Sequence, residues 1–107
     1  MKNLTTFDEL ITQVDQLQLY SKLIEQLNKD LALANVNLEF ELDVLPSSLK
    51  LILQENIFIL IQQRFIEYVN LLYIIDVSEE QVRELDGNDV VELSKNITFL
   101  ILKREWQ

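Results

Sequence analysis

The sequence contains no histidine and no cysteine. It therefore cannot form a Ser-His-Asp triad, a Cys-His pair or a disulfide bond, and it lacks the usual zinc ligands. The commonest general base near neutral pH is missing as well. We predict that the protein is not an enzyme and that it holds no metal and no cofactor.

Glycine and proline are almost absent, with one residue of each, Gly87 and Pro46. Because these residues make most turns and linkers, the chain is expected to form long, uninterrupted elements. Hydrophobic residues account for 49% of the 107 positions. A chain of this length buries roughly two-thirds of its unfolded surface, so we predict a single domain spanning residues 1–107.

Positive charge is also scarce, since nine basic side chains face eighteen acidic ones and the net charge is −9. This balance opposes the counterion release that drives binding to nucleic acid, and we expect no direct nucleic-acid contact. The apolar stretch 49–77 contains Glu55, Arg64 and Glu67. Each would cost about 2.5–3.5 kcal/mol at the bilayer centre, so we expect no membrane span. The beginning of the chain lacks a signal-peptide pattern, which predicts a cytoplasmic location.

Helical periodicity covers most of the chain. Thr6 and Glu9 resemble a capping box, and apolar residues at helical spacing then continue to Ala34, which predicts a first helix. Pro46 and the serines at 47 and 48 are expected to start and cap the longest helix, which runs to about Ile75.

Two further caps precede the C-terminal elements. Ser78 with Gln81 predicts a short helix to about residue 85, and Asp89 with Glu92 predicts a last helix. Lys103 and the following arginine suit the final turn of that helix, because cations there oppose the helix dipole.

Residues 36–44 have a different period. Apolar Val36, Leu38, Phe40, Leu42 and Val44 alternate with polar Asn37, Glu39, Glu41 and Asp43. Period two predicts an extended strand with one buried face. Its edge could face water, pair with 97–102 read as a strand, or pair with the same strand of a second copy. The predicted architecture is mainly α, a small bundle of about four helices with one strand-like segment.

Two sequence blocks resemble the C-terminal portion of a group of small bacterial helical proteins. The blocks are residues 71–78, with the following Glu79 and Glu80, and residues 102–107. The resemblance covers about the last third of the chain. It implies a compact bacterial cytosolic protein, and because no activity is associated with the group it transfers no site residues.

Two heptad-spaced series run along the predicted long helix. The apolar series is Ile52, Ile59, Ile66 and Tyr73, and the polar series is Asn56, Gln63 and Asn70. The apolar series either packs inside the monomer or meets its counterpart in a second copy, with the polar series setting the register. Trp106 is a further candidate contact, with packing inside the monomer as its alternative. We predict a protein-interaction module, homodimeric, whose interface combines these residues with the edge of 36–44.

Two other functions remain open. Glu39, Glu41 and Asp43 form either a solvated face or a docking face for a basic partner, as in an acidic inhibitor or antitoxin-like protein. The least favoured function is an enzyme using Glu55 and Glu67. Carboxylate metal sites in helical bundles normally add a histidine, and spacing makes Glu67 a surface ion-pair partner for the arginine three residues earlier.

Overall fold

The computed structural model describes residues 6–16 and 18–106, without the side chain of Gln16. The helices in these ranges are α1 (Phe7–Gln16), α2 (Tyr20–Leu33), α3 (Pro46–Gln63), α4 (Phe65–Ile75), α5 (Glu79–Arg83) and α6 (Val90–Trp106). The predicted mainly α class is confirmed. The described ranges contain six helices instead of about four, and they contain no β-strand.

Three described residues, Gln18, Asn35 and Asp76, have a positive φ, and each follows the end of a helix. At each site the amide of the positive-φ residue donates to the carbonyl three residues earlier, and the amide of the next residue donates to the carbonyl five residues earlier. This is the hydrogen-bond pattern of a Schellman motif. The five-residue bonds are Leu19 to Val14, Val36 to Leu31, and Val77 to Leu72. All six of these residues are apolar, which supplies the hydrophobic contact that accompanies the motif. Helices thus end sharply in a chain with almost no glycine.

The first of these motifs divides the predicted first helix into α1 and α2. The left-handed backbone of Gln18, with a φ of 57°, turns the chain there. The amphipathic pattern did not predict the break because apolar residues recur on both sides of it. The predicted start is confirmed, since Thr6 Oγ1 accepts a hydrogen bond from the Glu9 amide at 3.1 Å.

A second break divides the predicted long helix at Arg64, whose φ of −139° and ψ of 57° are not helical. Arg64 still donates to the Leu60 carbonyl and accepts from the Tyr68 amide, so the chain changes direction with bonds on both sides preserved. At its other end α3 begins with proline in the first turn and Leu45 as N-cap, without a side-chain cap bond. The prediction that the serines cap this helix is therefore wrong.

The segment 36–44 is irregular and forms no β ladder, which corrects the predicted strand. It turns twice, since the Leu38 amide donates to the Val36 carbonyl and the Val44 amide donates to the Glu41 carbonyl. Its alternation is only partly reflected in burial: Val36 and Phe40 are buried, whereas Leu42 is exposed. The Asn28 side chain from α2 replaces a strand partner, accepting from the Phe40 amide at 2.9 Å and donating to the Phe40 carbonyl at 2.8 Å. The Tyr20 hydroxyl donates to the carbonyl at position 44 at 2.6 Å.

The two C-terminal helices begin at the predicted caps. Ser78 Oγ accepts from the Gln81 amide at 3.3 Å, and Asp89 Oδ1 accepts from the amides of Val91 and Glu92. The short helix ends at residue 83, slightly before the predicted end. Residues 97–102 lie inside α6, so their alternative interpretation as a strand is wrong.

The core lies where α3 packs along α6, with α4 packed against both and α2 packed against α4 and α6. Its fully buried side chains include Leu27, Leu49, Leu53, Ile97 and Ile101. Ser94 and Thr98 are buried on α6, and their hydroxyls donate to carbonyls of the same helix. In the described part of the chain, no helix is long and apolar enough to cross a membrane.

We predict that Asn28→Ala lowers the free energy of unfolding by about 1–3 kcal/mol, because it leaves the Phe40 amide and carbonyl without their partner. Urea denaturation followed by circular dichroism measures the change. Asn96→Ala, at an exposed position on α6, is the matched control and should change stability by less than about 0.5 kcal/mol. Equal effects of the two substitutions would show that the Asn28 bonds contribute nothing specific.

Candidate protein-binding surface

One side of α4 is apolar and exposed. The side chains are Phe65, 58% exposed, Ile66, 74%, Val69, 46%, and Tyr73, 84%. At 100° per residue these four positions fall within about 100° of the helix circumference. The opposite side of α4 supplies the buried residues Tyr68, Leu71 and Ile75. We call the four exposed residues the α4 face; within the described monomer they lack the cover that the core gives to the other side.

A groove adjoins the α4 face, between α4 and α5, with a volume of about 600 Å³. Its apolar lining comes from Val69, Leu72, Tyr73, Val77 and Val82, and its polar lining from Asp76, Ser78, Glu79 and Arg83. The groove exists because the turn at Asp76 folds α5 back beside α4, while α5 contributes no fully buried residue to the core. We call it the α4–α5 groove.

Charged side chains lie at both ends of α4. At its start, Arg64 pairs with Glu67 at 3.1 Å, and a backbone hydrogen bond together with this arginine holds the pKa of Glu67 below its usual value. At its end, Arg104 donates to both the Asp76 carboxylate and the Asp76 carbonyl, at 3.2 and 3.1 Å. The apolar surface thus has a polar boundary at each end.

The predicted apolar series is exposed along its whole length. Ile52 and Ile59 are 37% and 47% exposed on α3, whereas the other two members belong to the α4 face. The break at Arg64 therefore distributes the series over two helices. Sequence reasoning missed Phe65 and Val69; the signal was the presence of apolar residues all around residues 65–75, which indicates a helix with neighbours on more than one side.

The polar series and Trp106 have mixed environments. Gln63 and Asn70 are exposed, whereas Asn56 is half-buried and donates to the Ile52 carbonyl of its own helix at 2.9 Å. Trp106 is half-buried and packs against the core. This position of Trp106 fits the expectation that it packs within the monomer.

A second, smaller groove lies between α3 and α6. It has a volume of about 380 Å³ and is lined by Gln54, Glu55, Phe58, Ile59, Val91 and Ser94. Glu55 is exposed there, whereas Glu67 pairs with arginine on α4, so the two carboxylates of the enzyme hypothesis do not line a common groove. Within the described residues, no group of three or more acidic side chains is placed to hold a metal ion.

The three acidic residues of the 36–44 segment are exposed, as expected from their alternation. Glu39 and Glu41 surround a shallow recess of about 480 Å³ together with Glu25 of α2, Asn28 and Phe40. Sequence spacing did not connect Glu25 with this segment, because the contact depends on the Asn28 bonds that hold the segment against α2. We call this the acidic recess.

The sequence did not indicate a further pair of acidic residues, Asp30 and Glu105. Asp30 is buried on the apolar side of α2, where Gln26 Nε2 donates to both of its carboxylate oxygens at 3.2 Å. Burial, and then the neighbouring Asp30 carboxylate, raise the pKa of Glu105 at the end of α6 from 4.5 to about 8. Asp30 lies among the buried leucines of α2, and this position was the sequence signal that could have indicated a buried carboxylate.

The chain matches no family model, no curated protein and no solved structure. The resemblance of the C-terminal blocks to small bacterial helical proteins therefore stays a prediction, and function has to be argued from the surface itself.

The Glu105 pKa predicts that stability falls as pH rises from about 5 to about 8. Over this range the folded protein retains a proton that the unfolded chain has released, so deprotonation destabilises the folded state. Allowing for the partial exposure of Glu105, we expect a loss of about 1–3 kcal/mol, measured by urea denaturation at several pH values. Glu105→Gln should remove this decline, while Glu92→Gln, exposed on the same helix, should retain it. An unchanged slope in Glu105→Gln would contradict the assignment.

Proposed function

We propose that the protein is a protein-interaction module that forms a homodimer through the α4 face. The observation that carries this proposal is the set of four large apolar side chains exposed opposite the buried side of one helix. Contiguous exposed apolar surface is uncommon in monomers and marks sites of association. The adjoining α4–α5 groove supplies the concave surface that such an interface needs for close packing.

The free energy available to the α4 face is comparable to the cost of association. Scaled by their exposed fractions, the four side chains amount to about two and a half fully exposed ones per copy. Burying them on both copies stabilises a dimer by about 8–15 kcal/mol, at about 1.5–3 kcal/mol for each side chain. Association costs about 4–15 kcal/mol, so the face meets this cost over most of the range.

The composition of the α4 face also resembles that of an interface. Aromatic residues are enriched at the centres of interfaces, where charged residues are depleted, and the α4 face contains Phe65 and Tyr73 with no charge among its four members. The charged side chains of Arg64 and Asp76 lie at its two ends. This order, apolar within and charged at the boundary, is typical of an interface core with a polar rim.

We predict that Ile66→Asp weakens the dimer at least a hundredfold, because it places a charge in the apolar contact. Light scattering coupled to size-exclusion chromatography at tens of micromolar should give a dimer mass for the wild type and a monomer mass for the variant. Leu33→Asp on α2, where Leu33 is 64% exposed, is the matched control and should remain dimeric. A monomeric wild type, or an Ile66→Asp variant with wild-type mass, would refute the homodimer.

The acidic recess supports a second candidate function, that of an acidic inhibitor or antitoxin-like protein that docks on a basic partner. The supporting observation is the convergence of Glu25, Glu39 and Glu41 from two separate segments around one depression. Electrostatic attraction of this kind accelerates association and is weakened by salt.

The second candidate predicts capture of a basic protein from a bacterial lysate at low salt, with release at high salt. Glu39→Lys with Glu41→Lys should abolish the capture. Glu80→Lys with Glu84→Lys changes the net charge equally at exposed positions in and beside α5, and should retain it. Equal loss in both double variants would attribute capture to net charge and reject the recess as the docking site.

A further inference from the structure

We infer that two copies of the chain pack α4 against α4 in antiparallel orientation, about a two-fold axis between Val69 and Asn70, with Phe65 of each copy entering the α4–α5 groove of the other. This inference rests on the proposed homodimer and specifies its geometry. A two-fold interface uses the same patch on both copies, so every protruding element must find its receptor on that patch. The α4 face provides the protruding side chains, and the adjoining α4–α5 groove provides the receptor.

The axis fixes which residues of the two copies are level. Ile66 and Tyr73 each lie about 5 Å from the midpoint between Val69 and Asn70, at 1.5 Å per residue, so Ile66 of one copy is level with Tyr73 of the second copy in an antiparallel pair. At 100° per residue, Phe65 lies on the same side of α4 as the groove residues Leu72 and Asp76, whereas Ile66 lies on the other side of the face. Phe65, 58% exposed, therefore lies opposite the groove of the second copy.

The groove suits an apolar occupant. Five of its nine lining residues are apolar or aromatic, and its polar residues are concentrated towards the turn at Asp76 and along α5. Its volume is about 600 Å³. A phenylalanine side chain that enters it, with the adjacent Ile66 packed against Tyr73, releases water from apolar surface on both copies.

Position along α4 selects the antiparallel orientation. Phe65 lies at the start of α4, whereas the groove lies at its end, so only antiparallel packing brings the two level. A parallel arrangement would instead bring the two grooves together and leave both without an occupant. Antiparallel packing also places the positive end of one helix dipole near the negative end of the other.

Cysteine cross-linking tests this geometry cleanly, because the chain has no native cysteine. Val69→Cys lies next to the inferred axis, and we expect mild oxidation to convert it to a disulfide-linked dimer at least ten times faster than Val91→Cys. Val91 is an equally small apolar residue, 56% exposed on α6, and so provides the matched control. Light scattering on the wild-type protein reports association independently.

Orientation is tested by two more variants. An equimolar mixture of Ile66→Cys and Tyr73→Cys should cross-link as a heterodimer. Ile66→Cys alone should not, because its two copies would lie about 10 Å apart along the helices, beyond the roughly 7 Å limit between disulfide-bonded Cα atoms.

Each remaining outcome separates the inference from the proposed function. Rapid cross-linking of Val69→Cys, with Ile66→Cys linking to itself and not to Tyr73→Cys, would overturn the antiparallel geometry while the α4 homodimer stands. Cross-linking of Val91→Cys in place of Val69→Cys, with a dimeric wild type, would overturn the geometry and the α4 face together. A monomeric wild type that cross-links at neither position would overturn both the geometry and the homodimer.

Discussion

The fold depends on helices that end on a left-handed residue other than glycine. At Gln18, Asn35 and Asp76 the backbone accepts an unfavourable conformation, which costs roughly 1–2 kcal/mol per residue, and the Schellman hydrogen bonds with their apolar contacts offset that cost. These three turns set where α2 begins, where the segment 36–44 begins and how α5 folds beside α4. The α4–α5 groove is a direct consequence of the third turn.

Polar side chains of α2 organise the structure beyond their own helix. Asn28 satisfies the backbone of Phe40 and holds the segment 36–44 in place, so that Glu39 and Glu41 meet Glu25 around the acidic recess. Two residues later in α2, Asp30 lies buried near Glu105, whose pKa is raised first by burial and then by this carboxylate. The same helix thus anchors the segment 36–44 and contributes to the pH sensitivity of Glu105.

The apolar surface left by folding is unevenly distributed. Each helix can turn only one side to a core of this size, and a chain in which hydrophobic residues account for 49% retains more apolar side chains than its core accommodates. On α4 the excess forms one face with a groove beside it. That concentration, together with the charged residues at its two ends, supports self-association as the proposed function.

The sequence by itself determined the mainly helical class and the caps at Thr6, Ser78 and Asp89, because these depend on local hydrogen bonds and on helical periodicity. Only the tertiary structure decided the breaks at Gln18 and Arg64, since apolar periodicity continues across both. It also decided that the Asn28 side chain, and not a second strand, pairs with the backbone of the segment 36–44. Such choices depend on contacts between residues far apart in the sequence, which periodicity does not encode.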